Sequence, residues 1–303
     1  MTTLPLLDLP RLQHDVTLAP LTTYRIGGPA DMFVTVHNAN ELVNAVITAR
    51  EQGVPYFLLG TGANILVGDG GFRGLVIHNQ ADHVQIDGTR VTAESGATVA
   101  DLIERTASAG LSGFEHFAGI PSSVGGAIWQ NLHFLAPDRQ STLFIERIVE
   151  SAVILDVHGE RRTVNRDFFE FGYDDSRLHH EEIVVLEVAF ELEEKPEAEI
   201  RAQAEANLQW RAERQPEVED FPSCGSVFKK IEGVGAGRLI DGAGLKGFQI
   251  GGVQISPKHA NFLVNIDNGT ARDVLDLVKH AQEAVKADSG YELEMEIGLV
   301  GEF

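Results

Sequence analysis

The chain has 303 residues, 43% hydrophobic and 23% charged, with a formal charge of −21 at pH 7. That length exceeds one small core and, with ordinary globular composition, predicts two or three domains of an enzyme. The negative balance argues against nucleic acid, whose binding rests on Lys and Arg neutralising phosphates, and any anionic ligand must be met by locally basic sites.

Residues 1–16 have neither the basic start nor the apolar core of a signal peptide. Residues 21–36 open on the turn-rich Thr23-Tyr24-Arg25-Ile26-Gly27-Gly28-Pro29-Ala30 and close on a strand-like run at 32–36. Asn38 or Asn40 caps a helix whose Leu42, Val43, Val46 and Ile47 make one apolar stripe, ended by Gly53. Residues 54–59 read as a buried strand entering a glycine-rich loop at 60–71, with a further strand at 74–78. A hairpin is predicted over 84–94, turning at Asp87-Gly88. Thr98 starts a helix with Val99, Leu102 and Ile103 inward, and 113–127 is again loop-like and glycine-dense. Strands follow at 148–157 and 183–192. Residues 193–214 form a helix bridging into a new domain, with Ile200, Ala204 and Leu208 at helical spacing. Residues 270–288 give the clearest helix, with Val274, Leu277, Val278, Ala281, Ala284 and Val285 on one face. Residues 291–300 alternate strictly, apolar side chains opposite Glu292, Glu294 and Glu296, which predicts a strand. No apolar run approaches the roughly 20 residues that span a bilayer, and no membrane is expected. No long internal repeat is visible.

Chemistry concentrates at Ser223-Cys224-Gly225-Ser226-Val227-Phe228-Lys229-Lys230, which holds hydroxyls, a thiol and two ammonium groups within one short stretch. Cys224, as the sole cysteine, allows no intramolecular disulfide, as in a reducing cytoplasm. It reads as a small buried hydrophobe, with a role as an acid the alternative. The loops at 60–71 and 119–126 fit neither a Walker loop nor a dinucleotide fingerprint. Exposed N–H groups in such loops nevertheless make anion sites, and two of them beside Arg25-Ile26-Gly27-Gly28 predict a diphosphate-bearing cofactor. Lys229, Lys230, Arg238, Lys246, Lys258 and His259, with Arg211 just before, are the basic concentration that an anionic substrate requires. Residues two apart on a strand face lie roughly 6.5–7 Å apart, so Glu292, Glu294 and Glu296 raise one another's pKa if that face is desolvated. His179-His180-Glu181-Glu182 reads as a solvated turn and no metal is expected.

In order along the chain, these motifs resemble the UDP-N-acetylenolpyruvoylglucosamine reductase family. The resemblance rests on residues 23–30, 60–67 and 119–127. It continues through 222–229, Ala236-Gly237-Arg238-Leu239-Ile240, Gly244-Leu245-Lys246-Gly247, 250–260 and Leu293-Glu294-Met295-Glu296-Ile297. It runs from about residue 16 onward and is similar to the shorter subtype, which lacks a substrate-capping insertion. The resemblance implies an α+β protein with the two-lobed FAD-binding fold of the vanillyl-alcohol-oxidase/PCMH type and a C-terminal α+β substrate domain. The FAD-binding domain is expected over 1–194, in lobes of about 1–77 and 78–194, and the substrate domain over 206–303. It implies non-covalent FAD, NADPH as hydride donor and reduction of an enolpyruvyl UDP-sugar to UDP-N-acetylmuramate for peptidoglycan, by a cytoplasmic monomer. Arg25, Gly60, Thr61, Gly62, Ala63, Asn64, Ile65, Gly119, Ile120, Pro121, Ser122, Ser123, Gly125, Gly126 and Ala127 would then hold FAD. Arg211, Lys229, Lys246, Gln254, Lys258 and His259 would hold the substrate. Ser226 matches the family's proton donor and Glu296 its catalytic glutamate.

Two segments depart from the pattern. The family's Gly-Tyr-Arg-x-Ser reads Gly172-Tyr173-Asp174-Asp175-Ser176 here, with Arg177 following. An anion in place of a cation beside a developing enolate is unfavourable by several kcal/mol in a shielded site. Arg177 swings into the vacated space, another cation serves, or the chain binds its ligands and turns them over poorly. An FAD oxidoreductase of the same fold with another substrate is the further alternative. The family's Met-Asn-Ala-Gly-Ala run is replaced by Trp129-Gln130-Asn131-Leu132-His133-Phe134, in which Trp129 packs against the flavin region or belongs to the core.

Overall fold

The computed structural model describes residues 7–231 and 233–303. Residues 1–6 of the expected first domain and residue 232 of the expected last one lie outside the described residues. Two compact units interleave along the chain: Met1–Leu12, Val34–Thr61 and Ile77–Arg211 form one, and Gln13–Phe33, Gly62–Val76 and Ala212–Phe303 the other. This division by packing differs from the one expected at 194 and 206, because two N-terminal stretches belong with the C-terminal third.

The first unit is built on an antiparallel five-stranded sheet in the order Arg161–Asn165, Val149–Leu155, Val184–Glu191, Arg90–Glu94, Val84–Asp87. Among the described residues four α-helices accompany it. α1 (Ala39–Glu51) starts where the Asn38 side chain accepts from the Glu41 N–H, and it buries Leu42, Ala45, Val46 and Ala49. α2 (Val99–Ser108) is capped by Thr98, whose hydroxyl oxygen accepts from the Asp101 N–H, and it buries Val99, Leu102 and Ile103 as its periodicity predicts. Phe114 and Phe190 meet edge to face at 4.8 Å within the core of this unit.

The stretch read as a loop at 113–127 instead contains a 3-10 turn at Glu115–Phe117 and the start of α3 (Val124–Gln130). Ser123 caps that helix, its oxygen accepting from the Gly126 N–H, so a local cap overrides the weak propensity of Gly125-Gly126. α4 (Glu197–Arg214) buries Ile200 and Asn207, while Leu208 is 43% exposed, contrary to the expected apolar stripe. Asn207 replaces it inward because its Nδ2 donates to the carbonyls of Glu115 and His116 at 3.3 and 2.9 Å.

The second unit holds α5 (Ala236–Gly242), α6 (Ala271–Ser289) and a three-stranded antiparallel sheet of Gln249–Ile250, Val253–Ile255 and Leu263–Asn265. α6 opens on a capping box between Thr270 and Asp273 and buries Val274, Leu277, Val278, Ala281 and Val285. The expected loop at 60–71 contains a strand, Ile65–Val67, paired in parallel with Gly298–Val300. Only that last piece of the alternating 291–300 run is a strand. Upstream, Met295 makes a single bridge to Phe228, and the change of partner leaves Leu299 exposed and Val300 buried. Periodicity reports a face, not the partner that must cover it.

Among the described residues no helix is long and apolar enough to cross a membrane. The Asp69 carboxylate accepts from the N–H groups of Ala271 and Arg272 at 2.8 and 3.1 Å, fixing the start of α6 to the loop before it. Asp69→Ala is expected to lower the unfolding free energy by about 1–2 kcal/mol, seen as an earlier denaturant midpoint. An unchanged midpoint would show that this cap contributes nothing.

Candidate active site

In the second unit the segment carrying Ser226 is held from two sides. The Asn261 side chain accepts from the Phe228 N–H at 3.0 Å and donates back to the Phe228 carbonyl at 2.8 Å. The Asn261 carbonyl accepts from the Val227 N–H at 2.9 Å. On the other side the Glu296 N–H donates to the Val227 carbonyl at 2.8 Å, and the Lys229 N–H to the Glu294 carbonyl at 2.9 Å. Residues 226 and 296, separated by most of the unit's sequence, therefore stand on neighbouring paired segments. Ser226 is half-buried, and its hydroxyl makes no hydrogen bond to a described residue. Gly225 precedes it at φ +84° with open space where a Cβ would stand.

Cys224 is 2% exposed inside the apolar cluster of this unit. Burial pushes its thiol far above the usual range, so it stays protonated and behaves as core. The expected basic group is present but largely occupied. Lys246 pairs with Asp241 at 2.8 Å, Lys229 with Glu294, and Lys258 donates to the Ala212 carbonyl. Gln254 donates to the Gly247 carbonyl at 3.1 Å. Burial, then the Lys246 charge, lower the pKa of His259, whose Nδ1 accepts from the Asn261 N–H at 3.3 Å. The lysine pairs are exposed and weakly held, so an incoming anion can displace the carboxylates. Arg25, at φ +54°, donates to the Glu219 carbonyl at 3.2 Å.

The glycine-rich stretches divide into donors that are free and donors that are not. In the first unit Val124 donates to the Ala97 carbonyl at 2.8 Å, Gly125 to that of Ser95 at 2.7 Å, and Ala127 to that of Ser123 at 2.8 Å. Gly126 donates to the Ser123 hydroxyl oxygen at 3.2 Å, so the first turn of α3 has no N–H left for a ligand. Just before it, the N–H groups of Gly119, Ser122 and Ser123 have no acceptor among the described residues. Thr61 also keeps its N–H free, while its hydroxyl donates to the Pro121 carbonyl at 3.3 Å. Ile120 donates to the Phe117 carbonyl at 3.1 Å and Pro121 has no N–H. Gly60 lies so close to Ser123 that an added Cβ would meet its Oγ at 2.4 Å. In the second unit Gly62, Ala63 and Asn64 keep three consecutive N–H groups without a described acceptor, before Ile65 enters its strand. Runs of unpaired backbone donors fit the diphosphate of FAD. Among the described residues no cluster of three His, Cys, Asp or Glu side chains could hold a metal.

Sequence and structure comparisons bear on the same residues. The family model for the UDP-N-acetylenolpyruvoylglucosamine reductase C-terminal domain matches residues 215–300, and an FAD binding domain model matches 30–165. UDP-N-acetylenolpyruvoylglucosamine reductase 2 of Bacillus cereus is 38% identical over 96% of this chain and 93% of its own length. The Clostridium perfringens reductase is 38% identical over 95% of this chain and 94% of its own. The chain belongs to the UDP-N-acetylenolpyruvoylglucosamine reductase family. A crystal structure of the reductase from Thermus caldophilus matches at a TM-score of 0.80 and 32% identity, over 96% of this chain and 99% of that one. The α+β fold and the FAD-dependent oxidoreductase class follow.

Against that family the two departures take definite form. Asp174 sits at φ +52° with its side chain 2% exposed, and its Oδ1 lies 3.5 Å from Nδ1 of His133, part of the substituted segment. Neither carboxylate oxygen has a hydrogen-bond donor among the described residues. Arg177 is engaged elsewhere: it pairs with Glu170, lies 3.6 Å from Glu181, and its guanidinium covers the Phe168 ring at 4.7 Å. Trp129 is 45% exposed and stacks on His179 at 4.4 Å, so it is not core. Asn261 is the residue that sequence reading missed. Its signal is faint, a lone Asn between Ala260 and Phe262 in an otherwise apolar run.

Asn261→Ala removes the two side-chain bonds to the Phe228 backbone and leaves the backbone bond to Val227. It is expected to lower stability by about 2–3 kcal/mol in denaturant unfolding, and a loss under 0.5 would refute the clamp. Asp174→Asn keeps volume and tolerance of positive φ while removing an unsolvated charge, so its thermal midpoint at pH 7 should equal or exceed the parent's. A drop of several degrees would instead mark the His133 contact as a stabilising ion pair.

Proposed function

We propose that the protein reduces the enolpyruvyl group of UDP-N-acetylglucosamine enolpyruvate to UDP-N-acetylmuramate for peptidoglycan synthesis, as a monomer in the cytoplasm, where NADPH and nucleotide sugars are available. FAD, when bound non-covalently, supplies the redox chemistry, passing a hydride from NADPH to the terminal alkene carbon. Its contacts are assigned to Arg25, residues 60–65, Gly119 to Ser123, and Gly125 to Ala127, the last three through packing in place of N–H donation. The carbon beside the substrate carboxylate is then electron-rich and takes a proton. Ser226 donates that proton from Oγ and recovers one from solvent. Glu296, as the carboxylic acid, hydrogen-bonds the developing enolate and spreads its charge. Asn261 fixes the segment on which Ser226 stands. Lys229, Lys246, Gln254, Lys258, His259 and Arg211 are assigned to the anionic substrate, and Arg177 or another cation to the place of the family's arginine.

The observation that carries this reading is the juxtaposition of the half-buried Ser226 with the Glu296 segment through the Val227 pairing. Asp174 favours a second reading, a relative that binds FAD and the nucleotide sugar with impaired turnover. Substrate-dependent NADPH oxidation separates the two, since bound flavin without turnover supports the second. In the active case Ser226→Ala should lower that rate about 10²–10⁴-fold and leave reduction of the bound flavin by NADPH intact. Equal loss of both half-reactions would remove Ser226 from the role of acid.

A further inference from the structure

Two arginines of the first unit gather on one aromatic pair with no carboxylate partner among the described residues. Arg211 lies in the last turn of α4, its guanidinium carbon 5.4 Å from the centre of the Phe134 ring. Arg139 occupies the turn between the paired strands His133–Leu135 and Thr142–Phe144. Its guanidinium carbon lies 5.8 Å from the same Phe134 ring and 5.4 Å from the ring of Trp210. Phe134 and Trp210 meet edge to face at 5.5 Å, so one aromatic pair gathers both cations. Among the described residues neither arginine has a carboxylate within ion-pair distance, and Nη1 of Arg139 is buried with no hydrogen-bond partner. Its Nη2 makes only a 3.5 Å contact with the Ala206 carbonyl.

The turn that presents Arg139 is built to do so. Arg139 takes φ +58°, its N–H donates to the Ala136 carbonyl at 2.8 Å, and the Ala136 N–H donates to the Ser141 carbonyl at 2.9 Å. The neighbouring Asp138 does not neutralise it. That carboxylate is turned onto the N–H groups of Gln140 and Ser141, at 2.9 and 3.4 Å. The Arg211 side chain runs along Gly119, where an added Cβ would lie 3.0 Å from its Cδ and Nε. Gly119, Ser122 and Ser123 are the residues whose N–H groups are free. Burial lowers the pKa of Arg211 to about 10 with no carboxylate to offset it.

In a chain of formal charge −21, two shielded guanidiniums that attract no carboxylate are groups kept for an anion from outside. The flat fork of a guanidinium matches phosphate oxygens in pairs. We propose that Arg139 and Arg211, gathered on Phe134 and Trp210, bind the phosphate groups of a nucleotide, with Arg139 a binding residue that neither the motifs nor the family resemblance designates. That the ligand is a nucleotide rests on the reaction proposed above, since FAD, NADPH and a UDP-sugar all carry a diphosphate.

Titration calorimetry of the intact flavoprotein with inorganic pyrophosphate, NADP⁺ and UDP, together with flavin retention on dilution, tests this in the parent, Arg139→Ala and Arg139→Gln. The Gln variant keeps the stacking on Trp210 while losing the charge, and matched thermal midpoints establish that both variants fold. Binding of at least one probe should weaken about 10–100-fold in both variants, the loss of a charge-assisted bond or two. Loss confined to UDP, NADP⁺ or flavin identifies the source of the phosphate. Pyrophosphate binding lost in the variants supports the anion site even if the enolpyruvyl substrate is never reduced. Unchanged affinity for every probe in folded Arg139→Ala and Arg139→Gln would overturn the proposal.

Discussion

The second unit depends on one extended segment, residues 293–302, and on the backbone hydrogen bonds along it. Its first part pairs with the Ser226 segment, through Lys229 to Glu294, Phe228 to Met295 and Glu296 to Val227. Its middle part, Gly298–Val300, lies in parallel register with Ile65–Val67. Its last part binds the glycine turn: Gly68 donates to Val300, Gly70 to Glu302, and Glu302 to Gly71. Gly68 is required there, because a Cβ would fall 2.0 Å from the Glu302 carbonyl oxygen. The same turn presents Asp69 to the start of α6. One strand-like run thus fixes the position of Glu296, the exit of the Gly62–Asn64 donors and the orientation of the longest helix in the unit.

Charge is handled by a matching economy of partners. The chain carries 45 acidic and 24 basic side chains, so most cations find a carboxylate nearby and an unpaired one is informative. Lys229 and Lys246 are held at the surface by Glu294 and Asp241, contacts that water screens and a phosphate can outcompete. Arg177 is held by Glu170 and Glu181. Asp174 is the opposite case, a buried carboxyl beside a histidine at the position where the motif resemblance leads one to expect an arginine. His133, from the other segment that departs from the motif, lies against it at 3.5 Å.

How much of this was legible in the sequence depended on whether the signal was local. α1 and α2 announce themselves by Asn38 (or Asn40) and Thr98 ahead of an apolar stripe, with Asn38 and Thr98 the caps, and α6 by its stripe alone, the Thr270 cap being visible only in the structure. α3 was hidden because Gly125 and Gly126 mask a helix that Ser123 starts, and Ile65–Val67 because its partner lies at the far end of the chain. The alternation at 291–300 named the buried Leu293 and Ile297 correctly but could not show the change of partner that turns Leu299 outward. Ser226 and Glu296 were singled out by motif resemblance, and the structure sets their segments side by side. Asn261, Arg139 and the occupied state of the lysines were not legible, since each is a property of what folds beside it.

The parallel pairing of Gly298–Val300 with Ile65–Val67 also constrains the order of events during synthesis. A ribosome delivers residues 62–71 long before the strand that completes them, with more than two hundred residues between the two halves of the ladder. Until then Ile65–Val67 lacks its ladder partner, although Gly68 already has the Gly28 N–H, and closing so long a loop is entropically slow. The nascent chain must therefore carry an open strand edge through most of its translation. The 62–64 donors likewise reach their final setting only when the segment that brings Glu296 to Ser226 emerges.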